Sequence, residues 1–316
     1  MNIVCVIGVL GKGCSRVSLN PMKYFLKKIL FQYSINPLVR GGLRRIPLSV
    51  AQQLLKRIPE VRIVEMPVPG TNFRIKILSD PRDSVGQQLL QNGISRYEPE
   101  LTGIFSKLVK DKHVFLDIGA NCGLYSLLAC SVNQNLKTYA FEPEPKCFSL
   151  LQVNRKINRL QNLTIIQRAV TDRSGILDFH TPDNHDHLST MSSLIGQDSG
   201  CAKDWKTVQV VAITVDEFVR RNNIPGIDLM KVDVEKAEPL VLSGARESIR
   251  RFRPLIICEV LAHAEAVKIE EILKELNHRF YLITKNGLNF KDRIEPHSQY
   301  LNYLFSPQEI SPGMFP

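Results

Sequence analysis

The stretch "HVFLDIGANCGLYS", residues 113–126, decides the fold class of the chain. Its first half is a largely apolar run that ends near Asp117, and its second half is a glycine turn, Gly119 to Gly123, that leads into an apolar segment. An apolar strand followed by a tight turn and a helix is typical of a parallel sheet that helices cover on both faces. In such sheets, ligands bind beyond the carboxyl ends of the strands, where the strand order reverses. We therefore expect a binding site at this turn.

The alternation of strand and helix continues along the chain. Further strands are predicted at "KTYAFEP", "LTIIQRAV", "GILDFH", "TVQVVAI", "IDLMKVDV", "PLIICEV", "RFYLITK" and "YLNYLF", with helices between most of them. This pattern predicts an α/β, Rossmann-like sheet with helices on both faces over residues 80–316. A polar insertion at residues 181–206 is expected to act as a substrate lid. Residues 1–79 are predicted to form a basic N-terminal extension of helices and a hairpin.

The formal net charge of +10 lies entirely in the N-terminal quarter of the chain. Residues 1–80 hold 13 of the 41 basic residues and 3 of the 31 acidic ones, so 28 of each sign remain in the rest. A basic groove in the main domain is not indicated, and we expect no nucleic-acid partner. The apolar face of "PMKYFLKKILFQYS", residues 21–34, fits peripheral contact with a membrane or packing on the domain, and periodicity does not separate these alternatives.

Cysteine usage and hydropathy indicate the compartment. The seven cysteines include no C-x-x-C pair, which is typical of a reducing environment, and we expect a cytoplasmic protein. No apolar run reaches the roughly 18 residues that a membrane span needs. The oligomeric state is not indicated by the sequence.

The chemistry of the turn distinguishes between nucleoside cofactors. An acid, Asp117, precedes the turn, and a second acid, Glu142, ends the next predicted strand, where it can accept both hydroxyls of a ribose. A dinucleotide site would instead use G-x-G-x-x-G to seat a pyrophosphate, which the acid before the turn would repel. S-adenosylmethionine carries an ammonium and a sulfonium but no phosphate, so the charges favour it. The alternative is a purely structural turn.

An ordered series of motifs resembles one known family, the FkbM-type methyltransferases, over about residues 80–306. The motifs are "NGISRYEPE", "LDIGANCGLYS", "AFEPEP", "NRKIN", "AVTDRSG", "MSSL", "ITVDEF", "KVDVEKAE", "LSGA" and "PLIICEV". The resemblance implies a class I, Rossmann-like methyltransferase that depends on S-adenosylmethionine. Such enzymes usually act on hydroxyl oxygens of sugars or secondary metabolites.

The resemblance also implies which residues bind the cofactor. They would be Asp117, Gly119, Asn121 and Gly123 at its methionine part, with Ala120 in the same turn, Glu142 at the ribose, Ala169 at the adenine and Asp233 at the methionine and methyl region. The chain departs from the family pattern D-x-E-G-x-E at one position, where Lys236 replaces the glycine. If that position needs a positive φ, the lysine is strained by about 1 kcal/mol. If the glycine only leaves room for substrate, the lysine fills that room.

The substrate side needs a group that removes a proton from a hydroxyl acceptor. Glu235 and Glu259 are the candidate bases, because both lie just beyond the ends of predicted strands. For the acids of "KVDVEKAE", a helix start favoured by the helix dipole and a metal site are the alternatives, and we expect no metal. Further substrate-side candidates are Tyr97, Glu98, Lys236, Glu238 and, within the insertion, His187.

Several other functions fit parts of the sequence. A methyltransferase with a nitrogen or carboxyl acceptor keeps the same cofactor site, and a carboxyl acceptor needs no base. A dinucleotide-dependent oxidoreductase is less consistent with the turn, which lacks the third glycine of the fingerprint. A non-catalytic binding domain with the same fold is the third alternative.

Overall fold

The computed structural model describes residues 62–69, 71–80, 83–182 and 205–311. All of them belong to one structural unit, Val61–Pro316. The predicted membrane-contact helix at residues 21–34 and the substrate-side candidate His187 lie outside the described residues. Among the helices that are described, none has both the length and the apolar character needed to cross a bilayer.

The secondary structure of the described ranges follows the strand–helix alternation expected from the sequence. The strands are β1 Arg62–Pro67, β2 Arg74–Ser79, β3 Val114–Ile118, β4 Lys137–Phe141, β5 Leu163–Ile166, β6 Ala169–Val170, β7 Gly175–Pro182, β8 Trp205–Ile213, β9 Leu229–Val232, β10 Leu255–Glu259, β11 Arg279–Thr284, β12 Gly287–Lys291 and β13 Asn302–Ser306. The helices are α1 Ser84–Asn92, α2 Pro99–Leu108, α3 Leu124–Val132, α4 Pro145–Ile157, α5 Val215–Asn222, α6 Glu238–Ser243, α7 Arg246–Phe252 and α8 His263–Glu275.

The central sheet has eight strands in the order β12-β11-β13-β10-β9-β3-β4-β5. The five strands from β10 to β5 are parallel, whereas β13 is antiparallel to both of its neighbours. From β3 the chain proceeds to β4 and β5 on one side, and it later returns to β9 on the other side. The strand order therefore reverses between β3 and β9, which is where ligands bind in such sheets. The predicted α/β, Rossmann-like fold class is confirmed.

Helices bury both faces of the sheet, as its apolar strands require. On one face, Phe218 of α5, Val241 of α6 and Leu273 of α8 belong to a cluster of buried residues with side chains of β3, β9 and β10. On the other face, the ring of Phe105 in α2 packs edge-on against Phe115 at 5.3 Å between centroids. All residues of β3 and β9 are buried.

One predicted strand is split between two sheets. In "LTIIQRAV", the first part is β5 of the central sheet, and the last two residues are β6 of a separate sheet of order β6-β8-β7. The chain bends between them, where the Arg168 N–H donates to the Ile166 carbonyl at 3.0 Å. Strands β7 and β8 pair antiparallel, and Pro182 lies opposite Trp205. The two ends of the polar insertion thus meet, although residues 183–204 lie outside the described ranges and the lid stays a prediction.

The N-terminal hairpin forms as predicted, with β1 and β2 antiparallel. The sequence assigns it to the extension of residues 1–79, but in the structure it packs on the main unit through α4. The Leu78 N–H donates to Asn154 Oδ1 at 2.8 Å, and the Lys76 N–H donates to Asn158 Oδ1 at 2.7 Å. Side-chain amides thus satisfy backbone donors of a strand edge that would otherwise be unpaired. Strand β12 and helices α1, α2 and α5 were not predicted from the sequence.

Candidate active site

The ends of β3, β4 and β9 converge at the glycine turn. The backbone N–H groups of Gly119 and Ala120 both donate to the Phe141 carbonyl, at 3.1 and 2.9 Å. Gly119 has φ of +84°, and a Cβ on it would lie 1.8 Å from the carbonyl oxygen of Asp233. This position therefore needs glycine for two reasons, its left-handed conformation and the close approach of a neighbouring backbone.

The remainder of the turn starts helix α3. Asn121 has φ of +52°, a conformation that asparagine tolerates better than most residues. Gly123 has φ of +92°, and a Cβ there would meet Leu151 Cδ1 at 2.3 Å. Gly123 is predicted to bind cofactor, but it does not line the cavity described below. Its observed role is to let α4 pack closely on the start of α3.

Glu142 follows β4 and is held rigidly by two backbone amides. The Asn121 N–H donates to its Oε2 and the Glu144 N–H donates to its Oε1, both at 2.8 Å. Burial raises the pKa of Glu142 to about 7. Each carboxylate oxygen has two lone pairs, so both oxygens keep capacity to accept a further hydrogen bond.

Asp117 and Asp233 lie at the ends of the adjacent strands β3 and β9. Asp117 is buried, accepts a hydrogen bond from Ser126 Oγ at 2.6 Å, and has a pKa raised by burial. Asp233 accepts a hydrogen bond from Lys231 Nζ at 2.6 Å. Two carboxylates at neighbouring strand ends are suited to bind a cationic group.

These residues surround one cavity of about 250 Å³ at the carboxyl ends of the parallel strands. Small-molecule sites generally have volumes of roughly 300–1,000 Å³, so the cavity is slightly smaller than that range. The predicted cofactor residues that line it are Asp117, Gly119, Ala120, Asn121, Glu142, Ala169 and Asp233. The predicted substrate-side and base residues that line it are Tyr97, Glu98, Glu235 and Glu259. The structure thus brings together residues that are up to 162 positions apart, from Tyr97 to Glu259.

Glu238 is predicted as a substrate-side residue but does not line the cavity. It is the first residue of α6, it is 1% exposed, and its Oε1 accepts a hydrogen bond from the Val234 N–H at 2.8 Å. Its Oε2 has no hydrogen-bond partner among the described residues. Burial raises the pKa of Glu238 to about 8, so it is mostly protonated at neutral pH. These contacts favour the helix-start interpretation, in which Glu238 fixes the turn after β9.

Lys236 also stays outside the cavity lining, in contrast to its prediction as a substrate-side residue. It has φ of +77°, and Glu235 before it has φ of +54°. Of the two explanations for a family glycine here, the conformational one therefore applies, because the position lies in the left-handed region. A non-glycine residue in that region costs roughly 1–2 kcal/mol.

We expect a Lys236→Gly variant to be more stable than wild type by up to about 1 kcal/mol, because glycine removes the left-handed strain but adds entropy to the unfolded chain. Urea denaturation measures this gain as a change in the free energy of unfolding. The matched control is Asn223→Gly, since Asn223 has φ of +50° and asparagine already tolerates this region. A Lys236→Gly variant that gains no more than the control would contradict the strain argument.

The two candidate bases differ in their electrostatic surroundings. Burial and the charge of Asp233 raise the pKa of Glu235 to about 7. The same two causes raise the pKa of Glu259 to about 9. Near neutral pH, Glu235 is therefore partly ionised, whereas Glu259 is protonated and donates rather than accepts a proton. This difference was not visible in the sequence, where both acids simply follow strand ends.

Tyr97 and Glu98 form the wall of the cavity that precedes helix α2. Glu98 is the residue before the helix, with φ of +42°, and its Oε2 accepts a hydrogen bond from the Tyr125 hydroxyl. Burial raises the pKa of both Tyr97 and Glu98. Their contact with a substrate stays a prediction.

Lys231 and Tyr125 also line the cavity, although neither was predicted as a site residue from the sequence. Lys231 is 3% exposed, and its Nζ lies 4.6 Å from the centroid of the Tyr125 ring. The signal was present, since "DLMKVDV" places one lysine within an apolar strand.

A metal site has less support, because within the described residues no group of three or more His, Cys, Asp and Glu is arranged to hold an ion.

A parallel sheet whose strand order reverses at an acid-lined crevice defines a Rossmann-like α/β domain with a ligand site at its switch point. Comparison with known proteins then identifies the family. Residues 117–283 match the methyltransferase FkbM domain, and the chain belongs to this family.

Curated relatives match about half of the chain. The 2-O-methyltransferase NoeI of Sinorhizobium fredii is 28% identical over 159 residues, which are 48% of this chain and 64% of that protein. The 31-O-demethyl-FK506 methyltransferase FkbM of Streptomyces tacrolimicus is 27% identical over 158 residues, 43% of this chain and 60% of that protein. The hexuronic acid methyltransferase AglP of Haloferax volcanii is 24% identical over 181 residues, 57% of this chain and 69% of that protein. The chain thus matches less than two thirds of the length of the first two relatives.

Proposed function

We propose that the protein is an S-adenosylmethionine-dependent methyltransferase whose acceptor is a hydroxyl group of a sugar, glycan or secondary metabolite. The observation that carries the proposal is the buried Glu142 carboxylate, fixed by two backbone amides beside the turn that follows Asp117. Family membership supports methyl transfer, and the relatives are named for a 2-O position, a 31-O position and a hexuronic acid. Peripheral membrane contact and a lid at residues 181–206 stay further expectations.

The donors and acceptors of the crevice fit a cofactor without phosphate. A pyrophosphate needs free backbone N–H groups at the turn, but the Asn121 N–H is already donated to Glu142. The nearby acids, Asp117 and Glu142, would also repel a phosphate. The same acids can accept hydrogen bonds from a ribose diol and from an ammonium group. This argues against a dinucleotide-dependent oxidoreductase.

The roles of the residues follow from their positions. Glu142 would hold the ribose hydroxyls, Asp117 and Asp233 would hold the cationic amino-acid end, and Ala169 would lie by the adenine. S-adenosylmethionine supplies an activated methyl group when bound, so the protein contributes mainly orientation of the acceptor and removal of its proton. Closing the crevice to water would strengthen these electrostatic interactions.

Calorimetric titration with S-adenosylhomocysteine tests the cofactor assignment directly. We expect wild-type protein to bind it with one site per chain. Incubation of the protein with radiolabelled S-adenosylmethionine and candidate glycosides then tests for methyl transfer. Wild-type protein that binds no S-adenosylhomocysteine across pH 6 to 9 would refute the proposed function.

Glu235 is the better candidate for the general base, because a base is most effective when its pKa lies near the operating pH. We expect Glu235→Gln to lower kcat by roughly 100-fold, at the low end of general-base contributions, since the methyl donor is already activated. With saturating cofactor and acceptor, wild-type kcat should fall as pH drops below about 7, where Glu235 becomes protonated. The variant should lose this acid limb while keeping its affinity for S-adenosylhomocysteine.

Glu259→Gln is the matched control, because glutamine resembles the protonated acid that Glu259 forms at neutral pH. We expect this variant to retain kcat within about threefold. A larger loss of kcat in Glu259→Gln than in Glu235→Gln would assign the general base to Glu259 instead of Glu235. Full activity in both variants would favour a carboxyl acceptor, which needs no base.

A further inference from the structure

The most unusual side chain beside the crevice is a buried lysine. Lys231 lies on β9 with all four strand residues buried, and it is 3% exposed. Burial of an ammonium is costly unless neighbouring groups compensate it. Burial alone would lower the pKa of Lys231, but the charges of Asp233, Glu98 and Asp117 outweigh it and raise that pKa. Lys231 is therefore charged, and the proposed function assigns it no task.

The contacts of Lys231 connect two walls of the cavity. Its Nζ donates to Asp233 Oδ2 at 2.6 Å, on the side predicted for the cofactor. The same Nζ lies 4.6 Å from the Tyr125 ring centroid, and the hydroxyl of that ring donates to Glu98 on the opposite wall. Both acids line the cavity together with Lys231. The Lys231 ammonium thus contacts Asp233 on one wall directly, and the Tyr125 ring connects it to Glu98 on the other wall.

We propose that Lys231 is the positioning residue of this site, whose ammonium fixes the Asp233 carboxylate and favours the ionised forms of the acids around it when a cationic cofactor binds. This inference rests on the proposed function, because it takes the cofactor to be S-adenosylmethionine. It adds a residue that acts through Asp233 and its neighbours rather than by touching the acceptor.

The titratable groups around Lys231 come from several elements that meet at the crevice. They are Asp117 of β3, Tyr125 of α3, Tyr97 and Glu98 before α2, Asp233 and Glu235 after β9, and Cys258 and Glu259 of β10. The charge of Lys231 lowers the pKa of four acids, Glu98, Asp117, Glu235 and Glu259, although burial raises each of these pKa values by more. Removing the ammonium would therefore move these acids toward their protonated forms at a given pH.

The test is the pH dependence of S-adenosylhomocysteine affinity in Lys231→Met, measured by calorimetry from pH 5.5 to 8.5. An opposite charge at this distance lowers a carboxylate pKa by about 1–3 units, so its loss raises the pKa of the acids around it by at least about one unit and adds their protonation to the fall in affinity that Glu142 causes in wild type. We expect affinity about tenfold or more below wild type at pH 6, and within about threefold at pH 8.5. Titrations in two buffers of different ionisation enthalpy should also detect protons released on binding near pH 6.5, more than in wild type.

Lys231→Arg is the control that retains the charge, so it should keep the pH dependence of wild type, even where its larger planar group lowers affinity equally at every pH. A Lys231→Met profile that runs parallel to wild type at all pH values would overturn the proposal. If Lys231→Met does not fold, lysine ¹³Cε NMR of wild type decides, with Lys231→Arg identifying the resonance. A resonance that stays in the ammonium form above pH 10.5 supports the proposal, and one that titrates below pH 10 overturns it. Absence of any binding by wild type would instead refute the proposed function.

Discussion

A Glu142→Ala variant is expected to bind S-adenosylhomocysteine about 1,000-fold more weakly than wild type at pH 8.5. Hydrogen bonds to a charged group contribute roughly 1.5–3 kcal/mol each, and a ribose diol makes two of them with the carboxylate. A combined loss of about 4 kcal/mol corresponds to about three factors of ten. The pKa of Glu142 is raised to about 7 by burial, so the carboxylate is ionised at this pH. Calorimetric titration, with competition by a labelled analogue for the weak variant, measures the difference.

The same pKa sets the pH dependence of binding by wild type. Since the ionised form of Glu142 accepts both hydrogen bonds, affinity should fall as pH decreases through about 7. The matched control is Glu144→Ala, two positions further on. The Glu144 side chain accepts hydrogen bonds from Lys146 N–H and Cys147 N–H at 2.6 and 2.7 Å, which cap helix α4. Glu144 also lines the cavity, but its Oε2 is held at the helix start, so its loss should reduce stability by about 1 kcal/mol and leave affinity nearly unchanged at pH 8.5, where Glu142 is ionised. Equal losses of affinity in both variants would contradict the ribose assignment.

Most of the residues predicted for the cofactor were correctly expected to meet at one cavity, because their sequence determinants are local. Asp117, Gly119 and Glu142 lie at the ends of apolar strands, and the ends of parallel strands meet at one edge of the sheet. The left-handed conformation of Gly119 belongs to a turn that is contiguous in sequence, whereas the close approach of the Asp233 carbonyl depends on the tertiary fold. The family resemblance added Ala169 and Asp233, and the cavity is lined by both.

The substrate side could not be predicted to the same degree because its properties depend on through-space contacts. Glu235 and Glu259 are equivalent as sequence features, and only burial and neighbouring charge separate their pKa values. The counter-charge of Lys231 depends on acids from separate segments of the chain. The missing glycine at position 236 allowed two explanations, backbone strain or lost room for substrate. Only the φ of Lys236 in the structure decides between them, in favour of strain.

The bend within "LTIIQRAV" is a further case in which local pattern was insufficient. Apolar and β-branched residues lie on both sides of Gln167 and Arg168, and this pattern fits one long strand. The structure divides it because Ala169 pairs with Ala212 of β8 instead of continuing beside β4. Pairing with a strand more than 40 residues away is a tertiary effect that a single-sequence pattern does not encode.

A Gly119→Ala variant is expected to lose about 4 kcal/mol of the free energy of unfolding, or to fail to fold. The added Cβ would lie 1.8 Å from the carbonyl oxygen of Asp233, and this oxygen belongs to the backbone, which cannot rotate away. Overpacking of this kind costs roughly 1–3 kcal/mol, and alanine at positive φ costs roughly 1–2 kcal/mol more. Urea denaturation followed by circular dichroism measures the loss, and binding of S-adenosylhomocysteine should weaken in any fraction that folds.

Gly93→Ala separates the two contributions. Gly93 has φ of +72° and ψ of 168°, a backbone region that only glycine adopts readily, and among the described residues no atom beyond its chain neighbours lies within 4 Å of the position where its Cβ would be, so this variant carries the conformational cost alone. We expect it to lose about 1–3 kcal/mol and to bind S-adenosylhomocysteine as wild type does. The difference between the two variants is then the steric cost of separating the ends of β3 and β9. If both variants lose the same stability, these strand ends do not approach as closely as the crevice requires, and the placement of Asp117 beside Asp233 would be wrong.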